Sequence, residues 1–233
     1  MAREQMTLDE FRVKFNEIKA KGFIPSTRNG PTGIGHTFET AIGYHEDNIA
    51  LPDLGEVELK AKRSGSGSMI TLFTLDRNAW VMNQLDAIRK YGTIDKKIAG
   101  RLGMYFTLGS KPNGSGIYQD AEDGYAVVKH TDGTVIAKWS VEALANQFIR
   151  KFPGLCLVSA DTEIRNGREY FHFNKATVLK GTSVEIMRQC IDDGTILIDL
   201  RLHDKGTCAR NHGTGFRTFE NRLPKLFSNI QDL

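Results

Sequence analysis

The stretch LPDLGEVELKAKR, residues 51–63, holds carboxylates and an amine at a spacing that could do chemistry on a phosphate. Residues two apart on a strand point to the same face, so Glu58 and Lys60 should project together while Leu59 projects to the other face. Asp53 lies five residues before Glu58, directly after a proline, where the chain turns into the expected strand. The spacing therefore predicts one polar cluster at the start of a strand.

The chemistry that this cluster suits is phosphodiester hydrolysis. Two carboxylates can hold a hard divalent cation such as Mg²⁺ through their oxygens. Such a cation lowers the pKa of a bound water and stabilises charge on a phosphate. An ammonium beside it can position the water and offset negative charge in the transition state. A solvated strand edge with scattered charge explains the same residues, and from this stretch alone both interpretations stay open.

Two other places have the same acid-x-Lys spelling, and physical context separates them from Glu58–Lys60. Glu17 and Lys19 lie on a predicted helix, where a step of two residues turns about 200° and places the side chains on opposite sides. The Asp95–Lys97 pair lies in a polar stretch with no apolar strand behind it. Only Glu58–Lys60 has a strand, an apolar neighbour and an upstream Asp.

The elements around the cluster follow from local signals. Thr7 and Glu10 make a capping box that predicts the first helix, and Thr32 precedes a second, short helix. Residues 56–61 alternate like a strand. The flexible SGSGS at 64–68 leads into a second strand, MITLFTL, and the two strands read as a loose hairpin.

The remainder of the chain mixes both kinds of element. Asp-Gly at 132–133 and Asn-Gly at 166–167 predict hairpins, and TILIDLRLH predicts a buried strand. Helices are predicted near 78–91, 141–151, 183–193 and 222–230. This mixture predicts an α/β fold of the mixed α+β kind rather than a regular parallel sheet.

Length and composition are those of an ordinary globular protein. The 233 residues are enough for one large domain or two lobes, and 40% are hydrophobic and 25% charged. No apolar run approaches the roughly 18 residues of a membrane span, and the N-terminus lacks the apolar core of a signal peptide. We therefore expect a cytoplasmic protein with no membrane partner. Three cysteines without CxxC spacing read as reduced thiols.

Positive charge concentrates near the C-terminus. Residues 201–225 carry six Lys or Arg and two acidic residues, a balance of +4 against +3 for the whole chain. A local basic surface suits a polyanion, and a solvated loop and helix face is the other interpretation. His203, Cys208 and His212 lie in the same segment, but their spacing matches no standard zinc pattern.

Several motifs together resemble a known family. TGIGHTFE at 32–39, PDLGEVELK at 52–60, SMITLFT at 68–74 and HGTGFR at 212–217 stand in the order found in the MvaI/BcnI-type restriction endonucleases. These enzymes are relatives of the nicking enzyme MutH within the PD-(D/E)xK nuclease superfamily. The resemblance covers nearly the whole chain. It implies a restriction-endonuclease-like core, a mixed β-sheet flanked by helices, with two lobes forming a DNA-binding cleft.

The resemblance also assigns parts of the chain to roles. It implies a catalytic lobe mainly in residues 1–110 and a DNA-recognition lobe mainly in residues 111–233. Asp53 and Glu58 match the metal-binding carboxylates, and Lys60 matches the catalytic lysine. Glu39, on the short helix, matches the acidic residue that supports the metal site. The implied cofactor is Mg²⁺, for which Mn²⁺ should substitute.

The implied activity is that of a type II restriction endonuclease. It would cut double-stranded DNA at a short CC-x-GG site as a monomer, with a DNA methyltransferase that protects the same site as its functional partner. Thr74 follows ITLF, which matches the LTLF strand of the family, as in the branch that reads a central A·T pair, and this resemblance favours CCWGG. The candidate DNA contacts, which could reach bases or phosphates, are Arg63, Thr74, Arg210, Asn211, His212 and Arg217.

Two alternatives stay open. A MutH-like enzyme would nick one strand and depend on a repair partner. A relative that has lost catalysis would bind DNA without cutting it, although the intact Asp53, Glu58 and Lys60 argue against this.

Overall fold

A computed structural model describes residues 6–43, 57–76, 78–95 and 98–233. Within them the chain divides into two compact units. Unit 1 comprises residues 1–66, 152–181 and 227–233, and unit 2 comprises residues 67–151 and 182–226. Each unit therefore takes segments from both halves of the chain. The predicted assignment of catalysis to one half and DNA recognition to the other stays a prediction.

Unit 1 is built on one mixed sheet. The elements of this unit are α1 (Leu8–Ala20), β1 (Ile24–Pro25), α2 (Gly33–Ile42), β2 (Glu58–Arg63), β9 (Gly154–Arg165), β10 (Arg168–Lys180) and β14 (Asn229–Asp232). The strand order is β1-β10-β9-β2, and β14 pairs with the part of β10 beyond β1. β2 runs parallel to β9, whereas β10 is antiparallel to β9.

The core of unit 1 lies between this sheet and its helices. Phe11 and Phe15 of α1 and Phe38 of α2 are fully buried and meet at ring-centroid distances of 6.0 to 6.5 Å. Phe38 also contacts Phe173 of β10 at 4.8 Å. Helical spacing of the aromatic residues thus fixes α1 and α2 against one face of the sheet.

Unit 2 contains a large sheet and a separate three-stranded sheet. The strands are β3 (Met69–Thr74), β4 (Thr93–Ile94), β5 (Leu102–Leu108), β6 (Ile117–Glu122), β7 (Tyr125–His130), β8 (Val135–Ser140), β11 (Leu197–Asp204), β12 (Ala209–Asn211) and β13 (Gly215–Phe219). The large sheet has the order β3-β13-β11-β5-β4, with β12 paired to β11, and the three-stranded sheet has the order β6-β7-β8. The helices are α3 (Gln84–Tyr91), α4 (Val141–Lys151), α5 (Val184–Asp192) and a 3₁₀ helix (Glu220–Leu226).

Several predicted elements are confirmed. The Thr7 hydroxyl accepts from the Glu10 backbone N–H while the Glu10 carboxylate accepts from the Thr7 backbone N–H, which is the predicted capping box. Asp-Gly at 132–133 joins β7 to β8, and Asn-Gly at 166–167 joins β9 to β10. The mixed α+β class is also confirmed. Among the described residues no helix combines the length and apolar character that crossing a membrane requires.

Three expectations were wrong. The strands on either side of SGSGS do not pair as a hairpin, because β2 pairs with β9 and β3 with β13. The helix expected near 78–91 begins only at Gln84, where Asn83 caps it. The helix expected over 222–230 is instead a short 3₁₀ helix followed by β14, which pairs with β10. Beyond the 3₁₀ helix the backbone finds its partners elsewhere in the fold, because the Ser228 N–H donates to the Gly181 carbonyl at 3.1 Å and residues 229–232 pair with β10.

Candidate active site and nucleic-acid interface

β2 places the predicted catalytic pair as its alternation requires. Leu59 and Ala61 pack against the hydrophobic core of unit 1, so Glu58 and Lys60 lie on the opposite face of the strand. Glu58 is exposed and Lys60 is half-buried. β2 is the last strand of its sheet, which leaves one of its sides unpaired within the described residues. The pair is thus held on a rigid strand at a sheet edge.

Glu39 lies on α2, the helix that packs against β2. Ile34, Phe38 and Ile42 face the core, and Glu39 is half-buried beside them. At the start of α2 a side chain on Gly33 would collide with the Arg28 carbonyl oxygen, which explains the first glycine of TGIGHTFE. Glu39 therefore lies on a helix whose N-terminus is fixed by close packing.

Asp53 lies outside the described residues, as does Glu56. The described part of the chain holds no group of three or more His, Cys, Asp or Glu side chains arranged around a metal. Glu58 brings one exposed carboxylate, a hard oxygen donor of the kind that Mg²⁺ takes. Of the predicted catalytic residues, the structure therefore places Glu58 and Lys60 on one face of β2. The helix that carries Glu39 packs against the same strand.

Arg63, a predicted DNA contact, lies in a network within unit 1. Its Nε and Nη2 donate to the two oxygens of Glu169, each at 2.7 Å. Nη1 and Nη2 also donate to the carbonyls of Pro31 and Gly30 at 3.2 and 3.4 Å. The hydrogen bond from Arg63 holds the pKa of Glu169 below its ordinary value. Arg63 thus ties the end of β2 to β10 and to the turn before α2.

In unit 2 a polar face runs along β11. Ile198, Leu200 and Leu202 are fully buried, so the alternate residues Asp199 and Arg201 lie on the other face of the sheet. This alternation places a carboxylate and a guanidinium on one side of a strand whose other side is core.

The Asp199 carboxylate is the centre of that face. It accepts from Arg201 Nε at 2.7 Å, from Thr107 Oγ1 at 2.8 Å and from Arg217 Nη1 at 3.4 Å. Asp199 itself is 7% exposed. The Nε of Arg217 is buried and has no hydrogen-bond partner among the described residues. One buried carboxylate therefore orients two arginines, and the buried Nε of Arg217 stays unpaired within the described part of the chain.

The segment Asn211–Thr214 links β12 to β13, which run in the same direction along β11, and it contains an Asx turn in which the Asn211 side chain accepts from the backbone N–H two residues on. Asn211 Nδ2 donates to Asp76 Oδ2 at 2.6 Å, and Thr214 Oγ1 donates to Asp76 Oδ1 at 2.9 Å. The same Oδ1 accepts from Trp80 Nε1 at 3.0 Å. Asn211, predicted to contact DNA, therefore has its amide nitrogen bound to a carboxylate of its own unit.

His212 and Arg210 are exposed on either side of Asn211. The His212 ring lies 5.3 Å from that of His203, whose Nδ1 is 2.9 Å from the Tyr105 hydroxyl. Burial lowers the pKa of His203, and the positive charges of Arg101, His212 and Lys205 lower it further. The imidazole of His203 is thus biased towards its neutral form.

Thr74, a predicted DNA contact, is exposed at the end of β3 and pairs with Gly215 of β13. Within unit 2 it therefore lies at the same end of these strands as the turn that carries His212. Arg217 pairs with Thr71 further along β3. The predicted DNA contacts of unit 2 thus lie on neighbouring strands.

Sequence reasoning missed Asp76 and Asp199, and it includes Arg201 only as one of the basic residues of 201–225. The sequence predicts TILIDLRLH as a buried strand, and its alternation of apolar and polar residues is a signal for one buried and one polar face. No local pattern marks Asp76 as a partner of Asn211 and Thr214, because these lie 135 and 138 residues away along the chain.

Comparison with known proteins gives the chain its family. The model of the MvaI/BcnI restriction endonuclease family matches residues 13–227. No curated protein matches the chain. Two solved structures share its fold. One is restriction endonuclease MvaI in complex with its cognate DNA substrate, which is 23% identical over 98% of this chain and 99% of the MvaI chain, with a TM-score of 0.61. The other is MvaI in the absence of DNA, which is 22% identical over 100% of this chain and 99% of the MvaI chain, with a TM-score of 0.62. The fold is therefore of the PD-(D/E)xK type.

The family match covers most of the chain and includes the segments that carry Glu39, Glu58, Lys60 and the His212 turn. The chain belongs to the MvaI/BcnI restriction endonuclease family, and it is a site-specific deoxyribonuclease.

Proposed function

We propose that this restriction endonuclease is a type II enzyme that hydrolyses double-stranded DNA with Mg²⁺ at a short CC-x-GG site. The observation that carries the proposal is the pairing of Glu58 and Lys60 on one face of the edge strand β2. Thr74, exposed at the end of β3, favours CCWGG within that class of sites.

Each catalytic residue has a distinct task in this proposal. Glu58 and Asp53 hold the cation, and Glu39 supports them from α2. The bound cation supplies a water of lowered pKa and charge stabilisation on the phosphate. Lys60 orients the attacking water for in-line displacement and offsets negative charge in the transition state. The donor set fits a hard cation, because carboxylate oxygens are the ligands that Mg²⁺ prefers.

DNA recognition falls to unit 2. The Asp199 carboxylate orients Arg201 and Arg217, and an oriented arginine suits the two acceptors of a guanine edge. Exposed Arg210 and His212 extend the same surface. MvaI, which shares the fold, was solved with its cognate DNA substrate, and this supports double-stranded DNA as the partner.

The biological setting follows from the activity. An enzyme that cuts at a short site would destroy its own cell's DNA unless that site is modified. We therefore propose a DNA methyltransferase of the same specificity as its functional partner, and action as a monomer in a prokaryotic cytoplasm. Sedimentation of the enzyme on one duplex copy of its site tests the monomer, since two bound chains per duplex would contradict it.

A plasmid digest with mapped fragment ends tests the activity. Lys60→Ala should abolish cleavage while leaving binding to the cut site within about threefold, because the ammonium acts on the reacting water. Lys19→Ala is the matched control, since Lys19 has the same motif spelling on α1. Random smearing, nicked circles as the only product, or cutting by Lys60→Ala at the wild-type rate would each overturn the proposal.

The metal requirement has its own test. Cleavage should stop in EDTA and return with Mg²⁺ or Mn²⁺. Glu58→Gln should lose activity at every Mg²⁺ concentration or need much more of it, whereas Glu17→Gln should behave as wild type. Full cutting in EDTA would rule out the cation, and an unaffected Glu58→Gln would remove Glu58 from the site.

A further inference from the structure

Asp76 makes more side-chain hydrogen bonds to the recognition region than its place in the sequence suggests. It lies two residues past the end of β3, and its carboxylate accepts from three side chains. Asn211 donates to one oxygen at 2.6 Å, and Trp80 and Thr214 donate to the other at 3.0 and 2.9 Å. Asn211 and Thr214 stand on either side of His212 and Gly213. Asp76 therefore clamps a four-residue turn at both ends.

The backbone of this turn is held as well. The His212 N–H donates to the Arg201 carbonyl at 2.9 Å, and the Leu75 N–H donates to the Thr214 carbonyl at 3.1 Å. The Gly213 N–H donates to Asn211 Oδ1 at 2.8 Å. Both ends of the Asn211 amide are thus engaged within unit 2, while the His212 side chain between the clamped residues is exposed.

We infer that Asp76 is a positioning residue for DNA sequence recognition. It acts by fixing the turn that presents His212. This inference rests on the proposed function. Asp76 acts through Asn211 and Thr214, so its contribution should appear in the choice between DNA sequences rather than in general affinity. Base contacts need their donors and acceptors held in place, whereas phosphate attraction tolerates a displaced side chain.

The hydrogen-bond pattern provides a sharp test, because a residue swap preserves it. Asp76→Asn replaces one of the two accepting oxygens by an NH₂ donor, and this donor must face either the Asn211 amide nitrogen or the Trp80 N–H, so that two donors meet in either orientation. Asn211→Asp places two carboxylates against each other. In the double variant the amide nitrogen introduced at position 76 donates to the carboxylate introduced at position 211. The amide oxygen at position 76 still accepts from Trp80 and Thr214, and the carboxylate at position 211 still accepts from the Gly213 N–H. The swap also keeps the net charge.

The measurement is the ratio of affinities for two duplexes of equal length. One carries the sequence at which the wild-type enzyme cuts a plasmid, and the other carries the same bases scrambled. Each single variant should lower this ratio about tenfold or more, the order of one lost base contact, while scrambled-DNA binding stays within about twofold. The double variant should recover the ratio to within about threefold of wild type.

A second comparison separates positioning from a merely structural role. His212→Ala should lower the ratio by itself, and adding Asp76→Asn to it should lower the ratio no further, because the residue being positioned is gone. Thermal unfolding of each variant accompanies these measurements.

The outcomes are distinct. A wild-type enzyme that cuts no DNA overturns the proposed function and this inference together. A wild-type enzyme that cuts, with single variants that keep the ratio, overturns the inference alone. A double variant that is as stable as wild type but does not recover, or an Asp76→Asn effect that persists in His212→Ala, also overturns it.

Discussion

Arg63 and Glu169 meet in a two-pronged ion pair that joins β2, the strand that carries Lys60, to the neighbouring β9–β10 hairpin. Both N–O distances are 2.7 Å, and the Arg63 guanidinium lies 5.4 Å from the centre of the Phe171 ring. The side chains are 30% and 28% exposed. Because the same guanidinium also binds the carbonyls of Gly30 and Pro31, it links β2 to the approach of α2. The DNA contact by Arg63 stays a prediction, and the contacts of Arg63 within unit 1 give it a structural role as well.

Glu169→Gln should reduce stability in a pH-dependent way. The pKa of Glu169 is lowered in the folded state, chiefly by the hydrogen bond from Arg63, so its ionised form is favoured by folding. Its stabilising contribution is therefore present above its unfolded pKa of about 4.3 and is lost as the pH falls through its folded pKa. Urea unfolding should show a loss of about 1 kcal/mol near pH 7 for this partly exposed pair.

The matched control is Glu185→Gln, which removes an exposed ion pair with Arg188 on α5. An exposed pair contributes little to stability. A Glu169→Gln effect that is no larger than this control, or one that grows as the pH falls, would contradict the predicted role of the pair.

Asp199→Asn should weaken recognition even though it removes a negative charge. A uniform charge argument predicts that losing a carboxylate strengthens DNA binding. The contacts predict the opposite for the cut site, because Arg201 and Arg217 lose the group that orients them. Affinity for the cut site should fall about tenfold or more, while scrambled DNA binds as well or better.

Asp204→Asn, on the same strand, removes the same charge where it pairs with Arg89. It should leave the preference for the cut site unchanged. If Asp199→Asn and Asp204→Asn change the affinities for the cut-site duplex and the scrambled duplex alike, long-range charge alone accounts for the effect of Asp199→Asn. The proposed orienting role of Asp199 is then wrong.

The side of β2 on which Glu58 and Lys60 lie could be predicted from sequence because strand alternation is a local property. Leu59 between Glu58 and Lys60 already fixed which side of β2 faces the core. The hairpin expected across SGSGS failed for a reason that is not local. Both flanking strands had strand-like residues, but which strand pairs with which depends on β9 and β13, far along the chain.

The polar residues of unit 2 around Asp199 and His212 show the same limit more strongly. Asp76 and Asp199 carry no motif, and their roles come from partners that the fold brings to them. The last segment is a similar case. Residues 229–232 pair with β10, and no local pattern there distinguishes a short edge strand from the end of a helix.

The three thiols should react in two classes. Burial raises the pKa of Cys156 to about 12 and that of Cys190 to about 11. Cys208 is exposed. Because the thiolate is the reactive form, Ellman's reagent should modify Cys208 in the native protein and the other two only after unfolding. Cys208→Ser should leave no fast-reacting thiol, and a remaining fast phase would contradict the burial of Cys156 and Cys190.

His203 should make the protein less stable in mild acid. Burial and nearby positive charges lower its pKa in the folded state, so the unfolded chain binds a proton more readily. Stability should therefore be full above the unfolded pKa of about 6.5 and decline as the pH falls below it towards the folded pKa. His203→Asn should flatten this decline in unfolding experiments between pH 7 and 5. An unchanged decline would assign it to other groups.

Gly213 allows the turn beside His212 to form, and its substitution should separate backbone strain from crowding. Its φ is +89°, in the left-handed region that residues with a Cβ seldom adopt, yet a Cβ built there meets nothing within 4 Å. Gly213→Ala should therefore cost about 1–2 kcal/mol through the backbone alone. Gly213→Asn should cost less, because Asn tolerates this conformation better than other residues with a side chain.

Gly67→Ala is the control, since that site is equally open and its φ lies outside the left-handed region. It should leave stability unchanged or raise it slightly. If the turn presents His212 to DNA, Gly213→Ala should also lower the preference for the cut site over scrambled DNA, and Gly213→Asn should lower it less. If Gly213→Ala and Gly67→Ala lower this preference equally, the left-handed backbone conformation at Gly213 is not what holds His212 in place.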